Sequence, residues 1–261
     1  MANILTIKEK INLRDFFKKN MKNYVYGINT SRNALMHNQT IKNIYLLNGF
    51  KNPQIYKLIK EKNFNFTYLN NKQMEELVGK ANHQGVIVEV NDYSYYELDD
   101  LLKELENVKY PCIAILDGIE DPHNFGAILR SGDAFGIDGY IIASNRQVGL
   151  TNTVAHVSTG AIEYSKVCKV TNLNQAINKL KENGYWIVAS DGNAKMNYRD
   201  VDYKMKTGVI IGSEGKGIGP LLLKNSDYVT KIDMVGHVNS LNASVAAALY
   251  FNAIMESKNA K

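Results

Sequence analysis

Apolar positions follow two rhythms along the chain, and their alternation sets the expected architecture. Short unbroken apolar runs such as Val209–Ile211 mark strands buried on both faces. Between them, apolar residues return every three or four positions, as at Ile55, Leu58 and Ile59, which is one face of a helix. Over residues 24–92 this predicts a short helix around Asn33–Met36, then a strand at Ile41–Leu47. Asn52-Pro53 opens a helix through Lys62, because Asn caps and Pro suits the first helical turn. A strand at Phe64–Leu69, a helix at Lys72–Gly79 and a strand at Gly85–Val90 complete a small α/β unit. His83-Gln84-Gly85, just before the last of these strands, reads as a turn sooner than as a catalytic site.

The alternation pauses over residues 93–109, which are acidic, tyrosine-rich and helical from Leu98, and which read as a connection between domains. It resumes over residues 110–261. There the expected strands are Cys112–Asp117, Gly139–Ala143, Val167–Val170, Tyr185–Ser190, Gly208–Gly212 and Val229–Ile232. The expected helices are Phe125–Phe135, Leu173–Glu182 and Leu241–Glu256. The fold class is therefore α/β, with a mostly parallel sheet covered on both faces in the second domain. Residues 1–23 read as a polar, lysine-rich extension.

Composition narrows the class only a little. The length of 261 residues suits one large or two modest domains, and no apolar run approaches a membrane span. The first twenty residues hold no signal-peptide core, and two cysteines, Cys112 and Cys168, suit a reducing cytoplasm without metal-ligand spacing. A net charge of +5 permits a polyanionic partner without requiring one.

The chemistry concentrates late in the chain. The strand Gly208–Gly212 runs into Ser213-Glu214-Gly215-Lys216-Gly217-Ile218-Gly219-Pro220, a glycine-rich loop of the kind that lines ligand sites in open α/β sheets. It is not a Walker loop, because Lys216 is followed by Gly217 and not by Ser or Thr. Nor is it a dinucleotide fingerprint, because it comes late, spaces its glycines differently and places Glu214 where a pyrophosphate would sit. A second loop, ending in Ser240-Leu241-Asn242, opens the last helix, and two loops from one sheet edge can wall a single pocket. After the strand Cys112–Asp117, either Asp121 or Asn124 can cap the helix that carries Arg130.

Asn124-x-Gly126-x-x-x-Arg130, Gly208–Pro220 and Ser240-Leu241-Asn242-Ala243-Ser244 together resemble the three motifs of the SpoU–TrmH family of RNA 2′-O-ribose methyltransferases. His83-Gln84-Gly85 closing the small first unit resembles the substrate-binding domain of the two-domain branch, and Val157–Ala161 fits a segment between the first two motifs. The resemblance implies an N-terminal α/β substrate-binding domain and a C-terminal α/β knot that binds S-adenosylmethionine. It implies main-chain cofactor contacts at Gly212, Ile232 and Leu241, with Met234 nearby. It implies catalytic roles for Arg130, Asn124, Glu214, Ser240 and Asn242: Arg130 as base or clamp, Glu214 holding Arg130 or the ribose, Ser240 positioning phosphate or Arg130. It further implies a homodimer acting on RNA in the cytoplasm, most simply at a guanosine of large-subunit ribosomal RNA. The competing readings are a tRNA ribose methyltransferase and a non-catalytic RNA-binding or ribosome-assembly factor. One departure is Asp233, where the family usually has proline between Ile232 and Met234.

Overall fold

The computed structural model describes residues 23–37, 41–90, 93–238 and 240–260. The polar extension expected before the first domain lies, up to residue 22, outside the described residues. The first unit is β1 (Asn23–Tyr26), α1 (Ile28–His37), β2 (Ile41–Leu47), α2 (Pro53–Glu61), β3 (Phe66–Leu69), α3 (Asn71–Val78) and β4 (Val86–Val90). Its sheet has the order β1-β4-β2-β3; β4 pairs antiparallel to both neighbours, and β2 pairs parallel to the edge strand β3.

Local chemistry sets these element ends. The Asn52 side chain accepts from the Ile55 amide with Pro53 in the first turn of α2. Asn70 and Gln73 form a reciprocal capping box that starts α3. His83, buried, accepts from the Gly85 amide through Nδ1 at 3.1 Å, and Gln84 Oε1 accepts from the first amide of α1, at Ile28, at 2.8 Å. His83-Gln84-Gly85 is therefore a turn that ties β4 to α1. Two expectations change here. The short helix at Asn33–Met36 is ten residues long, and β1 was not foreseen, because four residues become a strand only by pairing with distant β4.

The segment from residue 93 leads through α4 (Leu98–Glu104), whose Leu101 and Leu102 are buried with Ile113 and Ile141 of the second sheet. It thus covers one face of that sheet as well as connecting to it. The second unit comprises β5 (Cys112–Asp117), α5 (Pro122–Phe135), β6 (Gly139–Ala143), α6 (Asn152–Val157), β7 (Val167–Val170), α7 (Leu173–Glu182) and β8 (Trp186–Ser190). It continues with β9 (Met196–Asn197), β10 (Thr207–Gly212), α8 (Pro220–Lys224), β11 (Tyr228–Lys231) and α9 (Ala243–Asn259). The sheet order is β7-β6-β5-β10-β8-β11-β9, and every pair is parallel. The short elements α6, α8 and β9 were not foreseen, since each spans less than two turns or one bridge.

The two units share a continuous core in which Val25, Leu35, Ile44 and Val88 cluster with Leu116, Phe125, Val209 and Phe251. At the seam, Tyr26 lies 5.2 Å from the His156 ring and Asn33 Nδ2 donates to the Thr159 carbonyl at 3.2 Å. Gly160 adopts φ +94°, and a Cβ there would fall 2.0 Å from Asn33 Nδ2, so this glycine is required for the closeness of the seam.

Candidate active site

β5 and β10 lie side by side with Asp117 opposite Gly212, so their loops leave the carboxyl edge of the sheet together. This is the point where strand order reverses direction and where open α/β sheets hold ligands. Asp117 ties the two loops, its Oδ2 accepting from the Gly219 amide at 2.8 Å. The glycine-rich loop folds back on itself: the Gly217 amide donates to the Ser213 carbonyl at 2.9 Å. A Cβ at Gly212 would stand 2.3 Å from the Gly217 carbonyl carbon, which only glycine permits. Gly212 is thus demanded by the loop's own closure.

That closure carries Glu214 to the meeting point of two helix starts. Asp121, not Asn124, caps α5, accepting from the His123 amide at 2.9 Å. Asn124 is left free one turn in, and its Nδ2 donates to Glu214 Oε1 at 3.0 Å. Asn242 caps α9: its Oδ1 accepts from the Ser244 amide at 3.0 Å and the Val245 amide at 3.4 Å. Capping commits the Asn242 oxygen to the helix, so its NH2 points outward. It donates to Asn124 Oδ1 at 2.9 Å and, through a short bond, to Glu214 Oε1. The Ala243 amide also donates to Glu214 Oε1 at 3.3 Å. A carboxylate between two helix N-termini is electrostatically favoured. The three bonds that Glu214 accepts, from Asn124, Asn242 and the Ala243 amide, all end on Oε1.

Glu214 also stands between two concavities. On one side a cavity of about 140 Å³ is lined by Gly212, Ile232, Met234, Ser240 and Leu241, all expected from the sequence, together with Ser190, Gly192 and Ala246. On the other side a cleft of about 600 Å³ is lined by Asp117, Glu120, Asn124, Arg146 and Lys216. Arg146 and Lys216 were missed because isolated surface cations carry no spacing signal, whereas Asp117, at a strand end facing a glycine loop, could have been found.

Arg130 behaves differently. It is exposed on α5, lines neither concavity, and makes no hydrogen bond or ion pair among the described residues. Glu214 holds the two asparagines and not Arg130, because six residues of helix turn Arg130 well away from Asn124. Asp233 turns to β9 and β11: it accepts from Asn197 Nδ2 at 2.6 Å and pairs with Lys231 at 3.2 Å. These contacts, Asn197 first, hold its carboxyl below the ordinary range. Ile232 and Met234 on either side still line the cavity. Burial raises both thiols, Cys112 and Cys168, to about 12, so neither is a nucleophile. Among the described residues no cluster of His, Cys, Asp and Glu could hold a metal.

Residues 111–252 match the profile of the SpoU rRNA Methylase family. The chain belongs to the SpoU rRNA methylase family. Residues 24–96 match a second profile, RNA 2′-O ribose methyltransferase substrate binding, so this SpoU chain has the two-domain arrangement. A Staphylococcus epidermidis protein, provisionally named a TrmH family tRNA/rRNA methyltransferase, is 42% identical over 86% of this chain and 92% of its own length. A Bacillus subtilis protein with the same provisional description is 40% identical over 90% of this chain and 96% of its own. Among solved structures, the SpoU methyltransferase AviRb of Streptomyces viridochromogenes, in complex with AdoMet, shares the fold at TM-score 0.78 and 20% identity over 93% of each chain. An AdoMet-bound rRNA methyltransferase of Sinorhizobium meliloti does so at TM-score 0.77 and 19% identity over 97% of each.

Proposed function

We propose that the chain is an S-adenosylmethionine-dependent enzyme that methylates a ribose 2′-hydroxyl in RNA, at a guanosine of large-subunit ribosomal RNA, in the cytoplasm. The observation that carries this reading is Glu214, held by Asn124 and Asn242 in the wall between a small cavity and a larger cleft. The cavity, together with a concavity of about 550 Å³ that shares Gly192, Ile232 and Met234 with it, suits the cofactor: Ile232, Met234, Leu241 and Ala246 offer apolar walls, while Gly192, Gly212 and Ser240 offer backbone and hydroxyl polarity. When bound, the cofactor supplies a methyl group activated on a sulfonium. The protein's task is then to position the hydroxyl and receive its proton.

Glu214 meets that need. With Oε1 saturated, Oε2 remains to accept the ribose hydroxyl from the cleft side. The asparagine pair keeps the carboxylate from rotating, so the hydroxyl is aimed by a fixed acceptor. In the cleft, the carboxylates of Glu120 and Asp121 suit the donors on the edge of a guanine. The ribosomal preference draws on the matched rRNA family and substrate-binding profiles; tRNA is the alternative substrate.

Arg130 acts in this reading as a clamp on RNA phosphate, reached from outside its own chain's cavity, since its planar fork suits a phosphate and it is always protonated. A homodimer would bring it to a partner's cleft. In support, α9 is apolar on most sides and leaves Val245 exposed beside α5. The return of the chain from β11 across Ser190 and Gly192 to α9 is the crossing we assign to a threaded knot. Calorimetry with S-adenosylmethionine, followed by mapping of 2′-O-methyl groups in ribosomal and transfer RNA, tests the reading. Binding with a new methyl group on a large-subunit guanosine is expected, and binding of a nicotinamide cofactor alone would overturn it.

A further inference from the structure

We propose that the free edge of the first sheet is a stacking platform for unpaired bases of the RNA substrate, built from Phe66, Tyr68 and Tyr56. The proposal rests on the reading of the chain as an RNA methyltransferase and adds where, and in what form, the RNA is held.

Among the described residues β3 has no neighbour on its outer side. Phe66 and Tyr68, two positions apart and so on one face of the strand, are 39% and 50% exposed. Their rings meet edge to face at 5.3 Å and 89°. Tyr56, from α2, stands 6.3 Å from Phe66 at 79°. Tyr56 donates its hydroxyl proton to the Phe50 carbonyl at 3.1 Å, so the 3.0 Å contact between the Tyr56 and Tyr68 hydroxyls uses the Tyr68 proton. The hydroxyl contacts thereby tie Tyr68 to a half-buried Tyr56, and the rings left exposed are those of Phe66 and Tyr68. The core of this sheet closes on Val25, Leu35, Ile44, Leu46, Ile55 and Val88 without Phe66 and Tyr68, while Tyr56 packs half-buried against it as their brace. Two large rings exposed at the surface, outside the core and braced by a third, mark a recognition surface.

The surrounding charge selects the partner. Residues 51–72 carry five lysines, Lys51, Lys57, Lys60, Lys62 and Lys72, against one acid, Glu61. Glu61 pairs with Lys57 at 3.7 Å, whereas Lys51, Lys60 and Lys72 make no ion pair among the described residues. Lys60 lies one turn from Tyr56 on α2. Open rings bordered by unpaired cations fit single-stranded RNA, whose bases can stack while its phosphates are neutralised. A duplex keeps its base faces to itself, and a peptide added to the β3 edge would not need the lysines.

The test uses the full chain and a fluorescein-labelled, purine-rich single-stranded RNA of about twelve nucleotides, a length near the known site sizes. Anisotropy should show tighter binding to this strand than to the same sequence in duplex form. Phe66→Leu with Tyr68→Leu keeps apolar bulk and removes both ring faces. At about 1 kcal/mol or more per stacked base, the pair should lose roughly 25-fold or more in affinity while its melting temperature and S-adenosylmethionine binding stay as in the wild type. The exchange Phe66→Tyr with Tyr68→Phe keeps both rings and should retain binding within a few fold. As a check independent of any variant, a 4-thiouridine strand photo-crosslinked to the wild-type chain should attach at Phe66, Tyr68 or Tyr56. Crosslinks confined to other residues, undiminished binding by the leucine pair, or a wild-type preference for duplex would each overturn the platform. Failure of the wild type to methylate any RNA would instead overturn the enzymatic reading on which it rests.

Discussion

The seven-stranded sheet offers its polar chemistry from two loops at the carboxyl ends of β5 and β10, whereas the four-stranded sheet offers rings from the side of its edge strand. The difference follows from how each is built. In the all-parallel sheet both faces are covered and β10 is buried up to its last residue, so only the loop edge can meet a ligand. In the mixed sheet, β3 is the last strand among the described residues, and three of its four residues are exposed. A buried sheet positions a small molecule and a reacting group, and an open edge can track a long polymer. The seam through Gly160 and Asn33 couples the two without merging their surfaces.

The largest effect should come from the loop edge. Glu214→Ala removes the acceptor shared by Asn124, Asn242 and the Ala243 amide, and should slow single-turnover methylation about a hundredfold or more. RNA affinity should hardly change, because the stacking platform proposed on the other sheet is untouched and Glu214 is one contact among several to the RNA. Equal loss of RNA binding and turnover would break the division between the two regions.

Gly212→Ala sharpens the same contrast within one loop. Its Cβ meets backbone at 2.3 Å, so the chain must shift, at a cost of about 1–3 kcal/mol or more. Thermal melting should move down by about 2–4 °C for each kcal/mol, and cofactor binding should weaken with it. Gly215→Ala, whose added carbon meets nothing within 4 Å, should leave both as they are. Similar behaviour of the two variants would show that the loop is not closed in the way described.

The smallest effect concerns the seam. Burial raises the Glu163 carboxyl from 4.5 to about 7. Below pH 4.5 the folded and unfolded chains both hold this proton, and the group adds no pH dependence. Between pH 4.5 and about 7 only the folded chain holds it, so stability falls as pH rises, and above about 7 the loss is complete. Glu163→Gln should flatten the melting temperature against pH by a few degrees over that window. An unchanged profile would mean that Glu163 finds water or a partner in solution.

The sequence by itself determined the alternation of strands and helices, because a strand buried on both faces is a local run of apolar side chains and a helix face is a local spacing. The rhythms did not reach the site: Gly212, Ile232, Met234, Ser240 and Leu241 were expected from the resemblance of the late motifs to the SpoU–TrmH family, and the structure gathers them around one small cavity. What required the tertiary structure was pairing across distance. Asn124 and Glu214 are 90 residues apart, and only the register of β5 on β10 decides that they bond, leaving the cap to Asp121. The exposure of Arg130, likewise, depends on which side of α5 faces the core. β1 exists only through β4, and the helix at Leu98 joins the core only because Gly139 leaves room for Leu101. The rings of Phe66 and Tyr68 look in sequence like any strand interior, and they became a surface because β3 is last in its sheet, a fact of topology that no local pattern encodes.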